Sequence, residues 1–180
     1  MKLVTLLMVL GFGAVSFGAE VDLKESQLIW TGTKVTGKHF GKMPFKSASV
    51  KVDKKSKVKS GVFIVDIGAF TVDDLKGKWA NKFTKHVKSE DFFEVEKWPT
   101  AELKIKKMKK GQALGKLTIK GKTNPVKFTY TEKDDLYEGK LKFDRTKFGM
   151  VYGSGNFFKN LGDKTINDEI TVDFKIKVKK

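Results

Sequence analysis

The chain has 180 residues, 37 of them Lys or Arg against 21 Asp or Glu, giving a formal charge of +16, a hydrophobic fraction of 39% and no cysteine. This length and hydrophobicity fit one ordinary folded domain and exclude a disordered or low-complexity tail. The lack of cysteine excludes a disulfide framework, a thiolate metal site, an iron–sulfur cluster and a cysteine nucleophile, and two histidines, His39 and His86, leave little for histidine-based metal or triad chemistry.

Met1 and Lys2 make a short basic start, followed by an uncharged run from Leu3 to Val15 and the small-residue stretch Ser16-Phe17-Gly18. The run is too short for the ~20 residues that span a bilayer. It has the layout of a secretory signal peptide with cleavage expected after Gly18. The expected organisation is a leader at 1–18 and one exported domain at 19–180.

Beyond the leader, apolar and polar residues alternate in Ser26–Thr36, Ser47–Asp53 and Lys57–Ile67. A period of two marks half-buried strands. The period then changes: Leu75, Trp79, Phe83 and Val87 recur every four residues, predicting an amphipathic helix over Asp73–Val87 with Thr71 or Asp73 as its cap. Ser89-Glu90-Asp91 reads as the cap of a further helical turn carrying Phe92 and Phe93.

Alternation resumes in Thr100–Met108, Ala113–Lys120, Pro125–Thr131, Leu136–Asp144 and Thr165–Val178, with turn signals at Lys110-Gly111, Asn124-Pro125 and Asp134-Asp135. Eight strands and one helix predict an all-β fold, an antiparallel barrel or sandwich. The apolar parity assigns to the interior Leu28 and Trp30; Phe63, Val65 and Ile67; Leu103 and Ile105; Leu117 and Ile119; Val126, Phe128 and Tyr130; Leu141 and Phe143; and Phe174. Such a barrel encloses room for packed side chains or for one small ligand, and parity does not choose between them. Phe92, Phe93, Trp98, Tyr152, Phe157 and Phe158 fall in irregular segments, where they line a pocket mouth or plug a barrel end. Gly153-Ser154-Gly155 offers a flexible loop beside them.

All but one of the basic residues are lysines, mostly on the polar parity of strands. A nucleic-acid reader would use arginine for bidentate contacts and would interleave basic with stacking residues, so no nucleic-acid partner is expected. An anionic membrane surface suits this charge better. The exception, Arg145, shares parity with Leu141 and Phe143, so it points inward if the strand continues. An inward guanidinium must be paired, by an internal bridge to a carboxylate such as Asp66, Glu102 or Asp144, and in the sharper reading it also faces the anionic or carbonyl head of a ligand. No catalytic motif, metal-ligand spacing or cofactor fingerprint is present. Both histidines read as surface or hydrogen-bonded residues. Neither enzymatic activity nor a cofactor or metal is expected.

Four ordered blocks carry a resemblance: VKSEDFFEVEKWPTAEL at 87–103, GKLTIKGKTNPVKF at 115–128, FDRTKFGMVYGSGNFF at 143–158 and INDEITVDF at 166–174. Together they resemble the YceI-like family of exported bacterial proteins, over essentially the whole mature chain. Its DFF element falls on Asp91, Phe92 and Phe93, its LTxxG element on Leu117, Thr118 and Gly121, and its Asp-Arg-Thr element on Asp144, Arg145 and Thr146. The block WTGTKVTGKHFG at 30–41 lacks the His-Ser pair of other members; Glu25-Ser26 stands there instead.

The resemblance implies an eight-stranded lipocalin-like barrel with an elongated pocket for a long-chain isoprenoid or acyl lipid, in a periplasmic carrier without an established reaction. The site residues expected on the combined reading are Trp30, Phe63, Val65, Leu103, Ile105, Leu117, Phe128, Tyr130, Leu141, Phe143 and Arg145 in the barrel, with Phe92, Phe93, Tyr152 and Phe158 at its mouth. The alternative is an exported basic protein whose barrel is a packed core and whose lysine faces bind acidic surfaces. Association into a homodimer stays open.

Overall fold

The computed structural model describes residues 17–179, so most of the expected leader, residues 1–16, lies outside the described residues. Nine strands form one antiparallel sheet: β1 (Phe17–Lys34), β2 (Gly37–Lys42), β3 (Phe45–Val52), β4 (Val58–Asp66), β5 (Thr100–Lys109), β6 (Gln112–Ile119), β7 (Lys122–Lys133), β8 (Leu136–Asp144) and β9 (Ile166–Val178). Pairing of β1 with β9 closes the sheet on itself, which removes exposed edges. β2 and β3 both pair with β1, at its C-terminal and N-terminal halves, and only Met43-Pro44 separates them. They act as one bent stave, so the barrel closes with 8 strands. Pro44 supplies the bend because it has no N–H for a ladder.

The first strand is longer than alternation alone marks out. It begins at Phe17, where Phe17 and Gly18 pair with Val52 and Lys51, two residues inside the segment read as leader. Its ladder with β9 shifts register between Asp22 and Gln27, where Asp22 Oδ1 accepts from the amides of Lys24 and Glu25. Another irregularity falls in β5, between Ile105 and Lys107. The extra residue there turns Met108 to the inside, against the strict parity of the sequence.

Between β4 and β5 the chain crosses the end of the barrel where α1 (Gly77–Lys88) lies. The helix has 12 residues, about three turns, and starts four residues later than the spacing predicts. Thr71, Asp73 and Asp74, expected in or before its first turn, instead pin the preceding segment to β2. The Thr71 hydroxyl accepts from the Lys42 amide and donates to Asp73, while Asp74 accepts from the Phe40 amide and contacts His39 Nδ1 at 2.7 Å. Ser89 closes α1 rather than opening another helix: its hydroxyl donates to His86 O. The chain then turns so that Phe92 and Phe93 pack against the core.

The three family-like motifs have local reasons. Asp144 ends β8 and caps a short 3-10 helix, Arg145–Phe148, by accepting from the amide and hydroxyl of Thr146 at 2.9 and 2.6 Å. Lys120 and Gly121 both take positive φ in the tight β6–β7 turn, and a Cβ on Gly121 would lie 2.6 Å from the Trp98 ring. Asp91 contacts His86 Nε2 at 3.1 Å.

Candidate functional site

The two ends of the barrel differ. At one end Val21, Val50, Val52, Val58, Met108, Ala113, Tyr137, Ile176 and Val178 are all buried and close the floor. Tyr137 makes the seal directional. Its hydroxyl accepts a 3.0 Å hydrogen bond from the Val58 amide, from β8 to β4 on the opposite wall. Burial pushes its phenol pKa up, so the group stays a neutral hydroxyl.

Above that floor is a cavity of about 490 Å³, within the usual range of ligand pockets. Its wall is aliphatic and aromatic through the middle of the barrel. Trp30, Phe63, Val65, Leu103, Ile105, Leu117, Phe128, Leu141, Phe143, Arg145, Phe92, Phe93 and Tyr152 all line it. Tyr130 and Phe158 do not: Tyr130 packs on Tyr137 nearer the closed end, and Phe158 is 46% exposed on the outer loop. Parity placed Tyr130 on the correct face but not at the correct depth.

The mouth was not legible in the strand pattern, because it is built from elements that cross the barrel end. Phe83 on α1 stacks on Trp30, and Trp30 Nε1 donates to Thr71 O at 2.9 Å. Phe70 meets Trp30 edge-on. Both histidines line the opening, together with Lys34, Asp163 and Lys164. His39 packs on Phe83 with centroids 4.8 Å apart, and His86 on Tyr152 at 4.5 Å. Each also contacts a carboxylate, His39 with Asp74 and His86 with Asp91. The histidines are thus hydrogen-bonded, as the sequence reading has it, yet they face the cavity mouth. The spacing of Trp79, Phe83 and Val87 pointed to Phe83; nothing in the sequence pointed to His39.

Arg145 is inward and paired with a carboxylate as expected, but the partner is another one. It leaves β8 and enters the 3-10 helix, but its side chain still turns inward and is 1% exposed. None of Asp66, Glu102 or Asp144 is its ion-pair partner. Nε donates to Asn167 O at 3.1 Å, Nη1 to Met150 O and Tyr152 O at 2.5 and 2.9 Å, and Nη2 to Ile166 O at 3.0 Å. Nη2 also lies 3.2 Å from Asp168 Oδ1. Asp168 sits on the inward parity of β9, and its other oxygen accepts from Ser154 and Asn156. Burial draws the guanidinium pKa down and the charges of Asp168 and Asp144 oppose it. Arginine was chosen here for its planar set of donors, four of which hold the 150–152 and 166–167 backbone together. Little donor capacity is left for a ligand head. Among the described residues no group of three His, Asp or Glu comes together in a way that would hold a metal ion.

A family model described as a YceI-like domain matches residues 20–178. Among solved structures the chain is similar to Burkholderia cenocepacia BcnA, with 24% identity, TM-score 0.68, and coverage of 89% of this chain and 100% of that one. It is similar to a polyisoprenoid binding domain from Saccharophagus degradans implicated in plant cell wall breakdown, with 11% identity, TM-score 0.61, and coverage of 90% and 97%. The Campylobacter jejuni YCEI protein aligns at 20% identity and TM-score 0.53 over 77% of this chain and 84% of that one. These likenesses establish the barrel fold. No curated protein sequence matches the chain.

Proposed function

The chain belongs to the YceI-like family, and from that membership together with its apolar cavity we propose that it is a periplasmic carrier of a long-chain amphiphile, an isoprenoid or acyl lipid. The observation that carries this reading is the cavity itself: about 490 Å³, walled by hydrocarbon and aromatic side chains, with a sealed floor and a polar mouth. At ~24 cal/mol per Å³, filling apolar volume of that size is worth on the order of 10 kcal/mol, comparable with the whole stability of a domain. Each buried CH₂ adds ~0.8 kcal/mol, so a chain binds tightly with few polar contacts.

In this reading the tail lies along Phe128, Leu141, Leu103 and Ile105, and the head stays at the mouth among Lys34, His39, His86 and Lys164. Arg145 acts as a positioning residue that fixes the mouth loops. The solved relative described as a polyisoprenoid binding domain supports an isoprenoid tail. The signal-peptide layout of the N-terminal sequence supports export. In this reading the protein binds and carries its ligand without transforming it.

Native mass spectrometry of protein purified without detergent tests the proposal. A stoichiometric extra mass that leaves on solvent extraction as an isoprenoid or acyl species is expected. Leu103→Trp, which fills the middle of the cavity, should lose that mass while keeping the β-sheet signature in circular dichroism. A clean protein mass that stays unchanged after incubation with envelope lipid extract overturns the carrier reading.

A further inference from the structure

Among the described residues, the large apolar side chains most open to solvent gather at the mouth end. Val35 in the β1–β2 turn is 64% exposed, Trp79 on α1 60% and Phe157 in the outer loop 58%, with Phe158 and Tyr152 beside it. Only Leu23 and Leu114 of this exposed set lie elsewhere. A folded protein gains nothing by keeping these rings in water.

The helix at the same end carries charge of one sign. α1 carries Lys78, Lys82, Lys85 and Lys88 and no carboxylate, and none of its residues is fully buried. Lys78 lies over the Trp79 ring at 5.6 Å, and no ion pair to an α1 lysine occurs among the described residues. Of the carboxylates nearest α1, Asp73 is engaged by Thr71, Asp74 by His39 and Asp91 by His86, while Glu90 and Glu96 follow the helix and Glu102 and Asp163 line the opening. Some lysines on the barrel side are paired: Lys57, Lys59, Lys140, Lys142 and Lys177 with Glu132, Asp53, Asp173, Glu169 and Asp135. Lys104 and Lys116 face each other across β5 and β6, but Leu114 is the only exposed large apolar residue on those strands.

A basic helix with an aromatic edge suits one surface in particular, the boundary of a bilayer where rings sit at headgroup level and lysines meet phosphates. We propose that the mouth end docks on a bilayer presenting anionic phosphate headgroups, with α1 in the interface and Trp79, Phe157 and Phe158 inserted beside it. The cavity then opens onto the lipid, so a chain enters without crossing water. This rests on the carrier reading of the same mouth and adds its source of cargo.

The test is co-sedimentation with vesicles of phosphatidylcholine alone or mixed with phosphatidylglycerol. Binding is expected only to the mixed vesicles, with a Trp79 emission blue-shift that Trp79→Phe removes. Reversing Lys78, Lys82 and Lys85 to Glu should weaken partitioning about tenfold or more, and Trp79→Ser with Phe157→Ser severalfold. The same charge reversal at Lys104, Lys116 and Lys127 should change it less than about twofold. These positions are exposed, and circular dichroism checks that each variant is folded.

No binding to the mixed vesicles overturns the proposal, as does equal loss from the strand-face reversal or no effect of removing the rings. The last result would instead mark adsorption or an acidic protein partner. The Leu103→Trp variant separates the two readings. Docking that persists in this variant while wild-type protein carries no lipid sinks the carrier reading alone; lipid carried by protein that ignores the vesicles sinks docking alone.

Discussion

The rings of Trp30 and Phe83 lie parallel, with centroids 5.9 Å apart and planes 6° apart, and they join the barrel wall to the helix over its mouth. Trp30 also holds the chain entering that helix, through its 2.9 Å bond to Thr71 O. One side chain on β1 therefore joins the barrel wall to the covering segment. No residue of α1 is fully buried, so its position rests on this stack together with the clamps of Thr71 and Asp74 on β2 and the contacts of His86 with Asp91 and Tyr152.

Replacing Phe83 with Ala should free α1 at modest cost to the barrel. The stacked pair and its partial burial are worth about 1–2 kcal/mol, less than a core Phe→Ala change. Amide exchange in Gly77–Lys88 should accelerate while exchange in β5–β8 stays slow, and Trp30 emission should shift to the red. Uniformly faster exchange across the strands would mean that α1 is part of the barrel core.

Arg145 gives a sharper prediction. Lysine keeps the charge but has three donors on a flexible stem in place of a planar set. Arg145→Lys should leave carbonyls of Met150, Tyr152, Ile166 and Asn167 without partners in a buried site, each costing about 1–3 kcal/mol. A loss of about 3–5 kcal/mol is expected, the range for breaking a buried charge network. Asp168→Asn keeps the bonds to Ser154 or Asn156 and should cost less. Denaturant midpoints for the two variants rank them, and equal midpoints would show that the ion pair rather than the carbonyl set does the holding.

How far the sequence reaches is visible in these two residues. Parity located Trp30 on the inner face, because strand alternation survives any closure of the sheet; Arg145 turns inward although the strand ends at Asp144, through the 3-10 helix that follows. Parity missed Asp168 as partner and Phe83 as cover, since both contacts join segments far apart in sequence. The bulge before Met108 and the bend at Pro44 escaped for a related reason: a one-residue insertion in a ladder depends on the partner strand. The late start of α1 was hidden because Thr71, Asp73 and Asp74 satisfy a capping pattern equally well whether they cap a helix or clamp β2. The DFF, LTxxG and Asp-Arg-Thr motifs carried the fold, and each proves to be a turn or cap with a specific geometric task.

Acid should loosen the mouth before it unfolds the barrel. Asp74 is partly desolvated, which raises its pKa, but bonds from the Phe40 amide and His39 outweigh this and hold it below the ordinary carboxylate value. A depressed folded pKa stabilises above the unfolded value, near 3.9, and that contribution fades as pH falls through the lower folded value. Below about pH 4 the Phe40 amide should therefore exchange faster, followed by those of residues 71–76. Asp74→Asn should show the fast exchange already at neutral pH. An Asp74→Asn protein that still changes below pH 4 as wild type does would place the acid response elsewhere.

The floor of the cavity offers the last prediction. Tyr137 reaches across the barrel to the Val58 amide, so its hydroxyl both satisfies a buried donor and limits how deep a chain can go. Tyr137→Phe keeps the ring and removes only the acceptor; leaving a buried N–H unpaired should cost about 1–3 kcal/mol with little change in the bound species. Tyr137→Ala removes the ring and deepens the cavity, with a larger loss of stability, about 3–5 kcal/mol if the hole stays unfilled. A longer tail would refill that space and recover part of the loss at ~0.8 kcal/mol per CH₂. Mass spectrometry of extracted cargo should then shift toward longer chains in Tyr137→Ala and not in Tyr137→Phe. An unchanged length distribution in both variants would mean that the chain ends above the tyrosine and that its length is set at the mouth.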